Sequence, residues 1–216
     1  MKRAANISKT AVALLAFIIT AAFTVGCDKE GAENMAGSDK QNNTLNAAKR
    51  PAQSDKYEKA TFAAGCFWGV EASFRNVEGV LATSVGYTAG RLENPTYEDV
   101  CTDKTGHAEA VEIIYDPAKV SFEHLLEVFW KIHDPTTLNR QGPDVGTQYR
   151  SAIFYHSPRQ QTLARTSMEK LRKSGRFDKP IVTRLVPASK FYKAEEHHQR
   201  YLEKQGKTTC SSTIKH

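Results

Sequence analysis

The sequence has no run of basic residues, no internal repeat and no long apolar stretch, and each absence removes a class of function. The formal charge of +6 and pI near 9.1 would suit an anionic partner. However, the 30 Lys and Arg are interleaved with 24 Asp and Glu, and no aromatic RNA-binding signature accompanies them, so nucleic acid is not the expected partner. The longest apolar stretch runs from Ala11 to Phe23, broken by Thr20, and falls short of the roughly 20 residues that a membrane span needs. No spacing fits a metal site, the adjacent His197 and His198 included. Cysteine is scarce: Cys27, Cys66, Cys101 and Cys210. What is present is ordinary, with 40% hydrophobic and 25% charged residues in a chain of 216. That is enough for one domain with a sizeable core and too little for two.

The chain divides by composition into three segments. In residues 1–26, Lys2, Arg3 and Lys9 precede the apolar stretch and small residues follow near Gly26, the pattern of a secretory leader. Thr24-Val25-Gly26-Cys27 resembles the processing site of bacterial lipoproteins, where Cys27 would become the lipidated first residue. Thr24 stands where such sites usually have Leu, so lipidation and plain cleavage both stay open. With lipidation, Asp28 resembles a signal for retention at the inner membrane. Residues 27–56 have Met35 and Leu45 as their only large apolar side chains and read as a flexible linker. Residues 57–216 carry the domain, and the expected location is the periplasm or cell envelope.

Tyr57–Ala64 reads as a strand, after which Gly65 releases the chain into a helix with Phe67, Val70, Phe74 and Val77 on one face. Gly79–Tyr87 and His107–Tyr115 read as strands, the second with Glu109, Val111, Ile113 and Tyr115 on one face. Between them lies a loop with a helical turn at Tyr97–Cys101. Ser121 caps a helix whose stripe is Phe122, Leu125, Leu126, Phe129 and Ile132 or His133, and Thr136–Gln148 reads as a long ordered loop. A strand at Tyr149–Tyr155, a helix at Pro158–Lys173, a strand at Pro180–Val186 and a helix from about Lys193 to Lys204 follow. The alternation lacks βαβ regularity and predicts an α+β fold. The expected form is a two-layer α/β sandwich on a central mixed, mainly antiparallel sheet, ferredoxin-like, with a long coiled C-terminal tail.

Two residues carry chemistry on local grounds. A thiol in the first turn of a helix, as at Cys66, meets the positive end of the dipole and unsatisfied N–H groups. That environment lowers a thiol pKa from about 8.5 into the roughly 3.5–7.5 range of reactive cysteines; the alternative is a buried core Cys. Glu109 ends an apolar strand face, where desolvation raises a carboxyl pKa and keeps it protonated near neutrality; the alternative is an exposed strand Glu.

The run Gly65-Cys66-Phe67-Trp68 resembles the active-site motif of the A-type methionine sulfoxide reductases. Further similar segments follow in the family's order: Gly86-Tyr87, Asn94-Pro95-Thr96-Tyr97, Thr105 to Val111, Asp144 to Ser151, and His198 to Leu202. The resemblance runs from Phe62 to Cys210 and implies thiol-dependent reduction of methionine (S)-sulfoxide, free and in proteins, without metal, flavin or nucleotide. It implies Cys66 as the nucleophile on sulfur and Glu109 as the acid that protonates the departing oxygen. Phe67 and Trp68 would wall the methyl pocket, although by helical spacing Phe67 reads as core. Tyr97 and Tyr149 would hold the sulfoxide oxygen, and Asp144 and His198 would shape the site, although a His among charged residues of a helix is usually solvated. Cys210 stands at the family's spacing for the resolving thiol. No Cys follows it, so the expected Cys66–Cys210 disulfide would be reduced directly by a thioredoxin-like partner. Cys101 stands where the family often has a Cys without a catalytic role and reads as structural, with a permanent Cys101–Cys210 bridge as the alternative. The substrates would be oxidised exported proteins, and the enzyme a monomer. A papain-like hydrolase fits less well, because Trp68 is two residues after the Cys and no Asn follows His198. A non-enzymatic exported binding protein would leave Glu109 and the aromatic residues beside Cys66 unexplained.

Overall fold

Bulky residues alternate with alanines along the central strands, and this sorts the domain into layers. In β1 (Glu58–Ala64), Phe62 joins the core under the helices while Ala63 faces the other way. In β3 (Ala108–Tyr115), Val111, Ile113 and Tyr115 join that core, and Ala108 and Ala110 belong to the opposite face. The computed structural model describes residues 56–207. The expected leader, nearly all of the linker, Cys27 and Cys210 lie outside the described residues.

With β2 (Val80–Thr88), β6 (Ser151–Tyr155), β7 (Arg184–Pro187) and β8 (Phe191–Lys193), the sheet has six strands in the order β7-β6-β1-β3-β2-β8. Every pairing is antiparallel except β6 with β7. Helix α1 (Phe67–Arg75) packs against α3 (Phe122–Ile132), which packs in turn against α4 (Pro158–Lys173). Phe62 ties these layers together, its ring 5.1 Å from Phe74, 5.9 Å from Phe122 and 5.2 Å from Phe129. Burying each such ring is worth about 1.5–3 kcal/mol. Ser121 and Ser157 accept N–H bonds from His124 and Gln160 and so start α3 and α4 where the sequence predicts.

The structure corrects four expectations. Residues 193–204 are not one helix: β8 ends at Lys193, turns follow, and only Tyr201–Lys204 (α5) is helical. The segment spends its hydrogen bonds on other elements. The Gln199 amide accepts from the Val85 N–H and donates to the Val85 and Ala194 carbonyls, and Arg200, at φ 54°, gives its N–H to Glu71. The strand expected at Pro180–Val186 lies at Arg184–Pro187, where it pairs with β6. Tyr149 closes a short 3-10 turn, Thr147–Tyr149, before β6 instead of opening the strand. The loop at 136–148 contains a small ribbon, β4 (Arg140–Gln141) with β5 (Asp144–Val145), and α2 (Tyr97–Cys101) stands where a helical turn is expected.

Candidate active site

The site begins where β1 stops. Gly65 has φ 96°, a left-handed conformation that disfavours other residues, and a Cβ there would come within 2.6 Å of the Gln141 side chain. One glycine therefore both redirects the chain and lets the β4–β5 ribbon lie against it. Cys66 follows as the N-cap of α1 and is half-buried, so its thiol stands at the helix N-terminus as the sequence predicts.

The next backbone N–H is already used. Phe67 N–H donates to Oε2 of Glu109 at 3.0 Å, which joins the start of α1 to the middle of the sheet. Glu109 is 2% exposed, on the face expected for it. Burial pushes its pKa up to about 8; the Phe67 bond acts in the opposite direction, and the charge of Asp144 adds to the rise. The carboxyl is therefore mostly protonated at neutral pH and bonded to the residue that follows Cys66, so it can supply a proton beside that thiol.

Aromatic rings form the surroundings. Phe67 is buried and lies 5.9 Å from Tyr87, 6.3 Å from Trp68 and 5.4 Å from His198 between ring centroids. It is thus both core, as its spacing suggests, and neighbour of the site. Trp68 stacks on Tyr201 at 4.0 Å and donates its Nε1–H to Nδ1 of His198 at 3.1 Å. That bond puts the proton of a neutral imidazole on Nε2. His198 is only 3% exposed, which removes the alternative of a solvated helix residue, and burial together with nearby His197 lowers its pKa. Tyr97 lies 4.6 Å from the His198 ring.

Burial raises the pKa of both Tyr97 and Tyr149, helped for Tyr97 by its bond with Cys101, and the charge of Glu109 raises each further, so the two hydroxyls stay protonated. Asp144, half-buried on β5, acts on Glu109 and Tyr149, and the Cys66 thiol also acts on Tyr149. Residues from 66 to 198 that the sequence singles out are thereby brought to one place. Cys101 is exposed at the end of α2, with its thiol hydrogen-bonded to Tyr97.

A family model for peptide methionine sulfoxide reductase matches residues 58–216. The chain belongs to this family. Its relatives are of the A type, and the enzyme is an oxidoreductase. It is 64% identical over 152 residues to peptide methionine sulfoxide reductase MsrA of Acidobacterium capsulatum, covering 70% of this chain and 97% of that protein. With the MsrA of Geobacter metallireducens it shares 60% identity over 159 residues, 74% of this chain and 98% of the relative. Among solved structures, reduced Mxr1 from Saccharomyces cerevisiae superposes with a TM-score of 0.66 at 38% identity, over 74% of this chain and 92% of that one. Methionine sulfoxide reductase A of Corynebacterium diphtheriae gives 0.64 at 38% identity, over 74% and 80%.

The reductase also holds its site with residues to which the sequence points only weakly. Glu195 accepts from the Tyr87 hydroxyl and the Tyr97 N–H, both at 2.9 Å. Arg150, buried, donates to the carbonyls of Thr147 and Gly106 and so ties the turn bearing Tyr149 to the start of the strand bearing Glu109. Glu71, 1% exposed, accepts from Thr83 on β2 and from the Arg200 N–H, linking α1 to the segment bearing His198. In a sequence these read as surface charges of a helix or strand. Of the three, Arg150 alone lies within a segment that resembles the family, and that resemblance gives it no role.

Proposed function

We propose that this reductase acts on the S epimer of methionine sulfoxide, free and in proteins, through the following steps. The Cys66 thiolate attacks the sulfoxide sulfur, and Glu109 donates its proton to the oxygen, which is a poor leaving group until protonated. The oxygen passes to Cys66, leaving a sulfenic acid and the thioether of methionine. Tyr97 and Tyr149 hold the oxygen beside Glu109, Phe67 and Trp68 receive the methyl group, and Asp144 and His198 complete the pocket. The Cys210 thiol then displaces water from the sulfenic acid to give a Cys66–Cys210 disulfide, which a thioredoxin-like dithiol reduces.

The observation that carries this reading is a buried carboxyl hydrogen-bonded to the N–H of the residue after Cys66, with burial pushing its pKa up to about 8. The same reading takes the β6-β1-β3-β2 core as a ferredoxin-like unit with a coiled C-terminal tail bearing Cys210. It also takes the protein as a monomer that repairs oxidised exported proteins in the periplasm or cell envelope, held to the inner membrane if Cys27 is lipidated. The test is dithiothreitol-driven reduction of each separate epimer of a blocked methionine sulfoxide. Turnover of the S epimer alone is expected; turnover of the R epimer, or of neither by folded protein, would overturn the proposal.

A further inference from the structure

Helix α2 has five residues and fully buries only Val100, with Tyr97 packed partly against the core, so it is too short to stand without bonds to other elements. Its capping box serves the Thr96 and Asp99 N–H groups and leaves the Tyr97 N–H to find a partner elsewhere. That partner is Oε1 of Glu195, while Oε2 of the same carboxylate accepts from the Tyr87 hydroxyl, both at 2.9 Å. Tyr87 is fully buried on β2, directly opposite Glu109 in the β2–β3 register, and its ring lies 5.9 Å from Phe67. One carboxylate thus connects the helix carrying Tyr97 to the strand beside Glu109.

The carboxylate is itself fixed from both sides along the chain. Ala194 donates its N–H to the Val85 carbonyl at 3.0 Å, and the Gln199 amide bonds the Val85 N–H and C=O. Burial alone would raise the Glu195 pKa, but hydrogen bonds from its own N–H, the Tyr97 N–H and the Tyr87 hydroxyl outweigh burial and hold it below the usual carboxylate value. It is an anion throughout the range in which Glu109 exchanges its proton.

We infer that Glu195 is a positioning residue for the reduction step, setting the Tyr97 hydroxyl against Glu109 through its bonds to the Tyr97 N–H and the Tyr87 hydroxyl. The inference rests on the proposed role of the tyrosine hydroxyls in holding the sulfoxide oxygen. Glu195 does not touch substrate in this account; it acts through Tyr97. Tyr149 is held separately, by the turn that Arg150 secures, so the two tyrosines stand on independent supports.

That independence supplies the test. The single-turnover rate of methionine release from excess enzyme is measured for Glu195→Ala in two backgrounds, Tyr149→Phe and Tyr97→Phe. In Tyr149→Phe, Tyr97 is the sole hydroxyl, and losing Glu195 is expected to slow release by about 10- to 100-fold, as a misplacement of about 1 Å does. In Tyr97→Phe the same substitution is expected to slow it by less than about threefold, because its target is gone. Glu195→Gln guards against misfolding: its amide oxygen can accept from Tyr97 and its amide N–H can donate to Tyr87, so it should restore most of the rate. Equal loss in both backgrounds, or no loss in either, overturns the positioning role. If the Tyr97→Phe, Tyr149→Phe double variant keeps the full rate, the oxygen-holding role of the hydroxyls fails first and this inference falls with it.

Discussion

Replacing Glu109 with Gln should slow the enzyme and, at the same time, stabilise it at high pH. Glutamine keeps an oxygen to accept the Phe67 N–H and matches the shape of the neutral acid, but it has no proton to give. A rise from 4.5 to about 8 corresponds to roughly 5 kcal/mol of preference for the neutral carboxyl in the folded protein. Because the folded pKa is the higher one, the stability linked to this proton is complete below about pH 4.5 and is lost as pH rises to about 8. Glu109→Gln has no such loss. Its stability relative to the wild type should therefore increase by about 1.4 kcal/mol per pH unit across that window and level off above it. Urea unfolding of both proteins at several pH values between about 5 and 9 measures the gap. Turnover of the S-sulfoxide should fall by about 10² to 10⁴ with a much smaller change in KM. A gap that does not vary with pH would show that Glu109 is not held neutral, and an unchanged turnover number would show that the proton comes from another group. In the wild type the same proton predicts turnover that declines above about pH 8.

Cys66→Ser should abolish reduction, and activity above a few per cent of the wild type would remove the thiolate step. Cys210→Ser should release about one methionine per enzyme and then stall unless a small thiol is supplied; normal thioredoxin-driven turnover would take Cys210 out of the resolving role. Gln199→Ala strands the Val85 N–H and the Ala194 carbonyl, while the Val85 carbonyl keeps its bond from the Ala194 N–H, and should cost about 2–4 kcal/mol by thermal unfolding, with lower activity because Glu195 and His198 lie close to it in the chain. A melting temperature unchanged by that substitution would show that the amide is not holding the segment.

The features that were legible are those encoded by neighbours in sequence. Gly65 followed by an apolar helical stripe places Cys66 at a helix N-terminus, and the alternation of β3 places Glu109 on the buried face; both follow from local periodicity and local backbone geometry. The same holds for the caps at Ser121 and Ser157. The polar residues of 193–204 look like a solvated helix in the sequence, whereas in the fold Gln199 and Arg200 hydrogen-bond partners 114 and 129 residues away. No window of sequence contains both ends of such a bond.

The sequence by itself determined the family, the place of Cys66 at a helix N-terminus and the place of Glu109 on the buried face of a strand, since each rests on residue type and short-range spacing. Only the tertiary structure decided that His198 is buried against Trp68, that Glu195 and Gln199 fasten the C-terminal segment to β2, and how far burial pushes up the Glu109 pKa. The reason is physical: desolvation and the satisfaction of buried polar groups depend on what surrounds a residue in space, which chain order does not state.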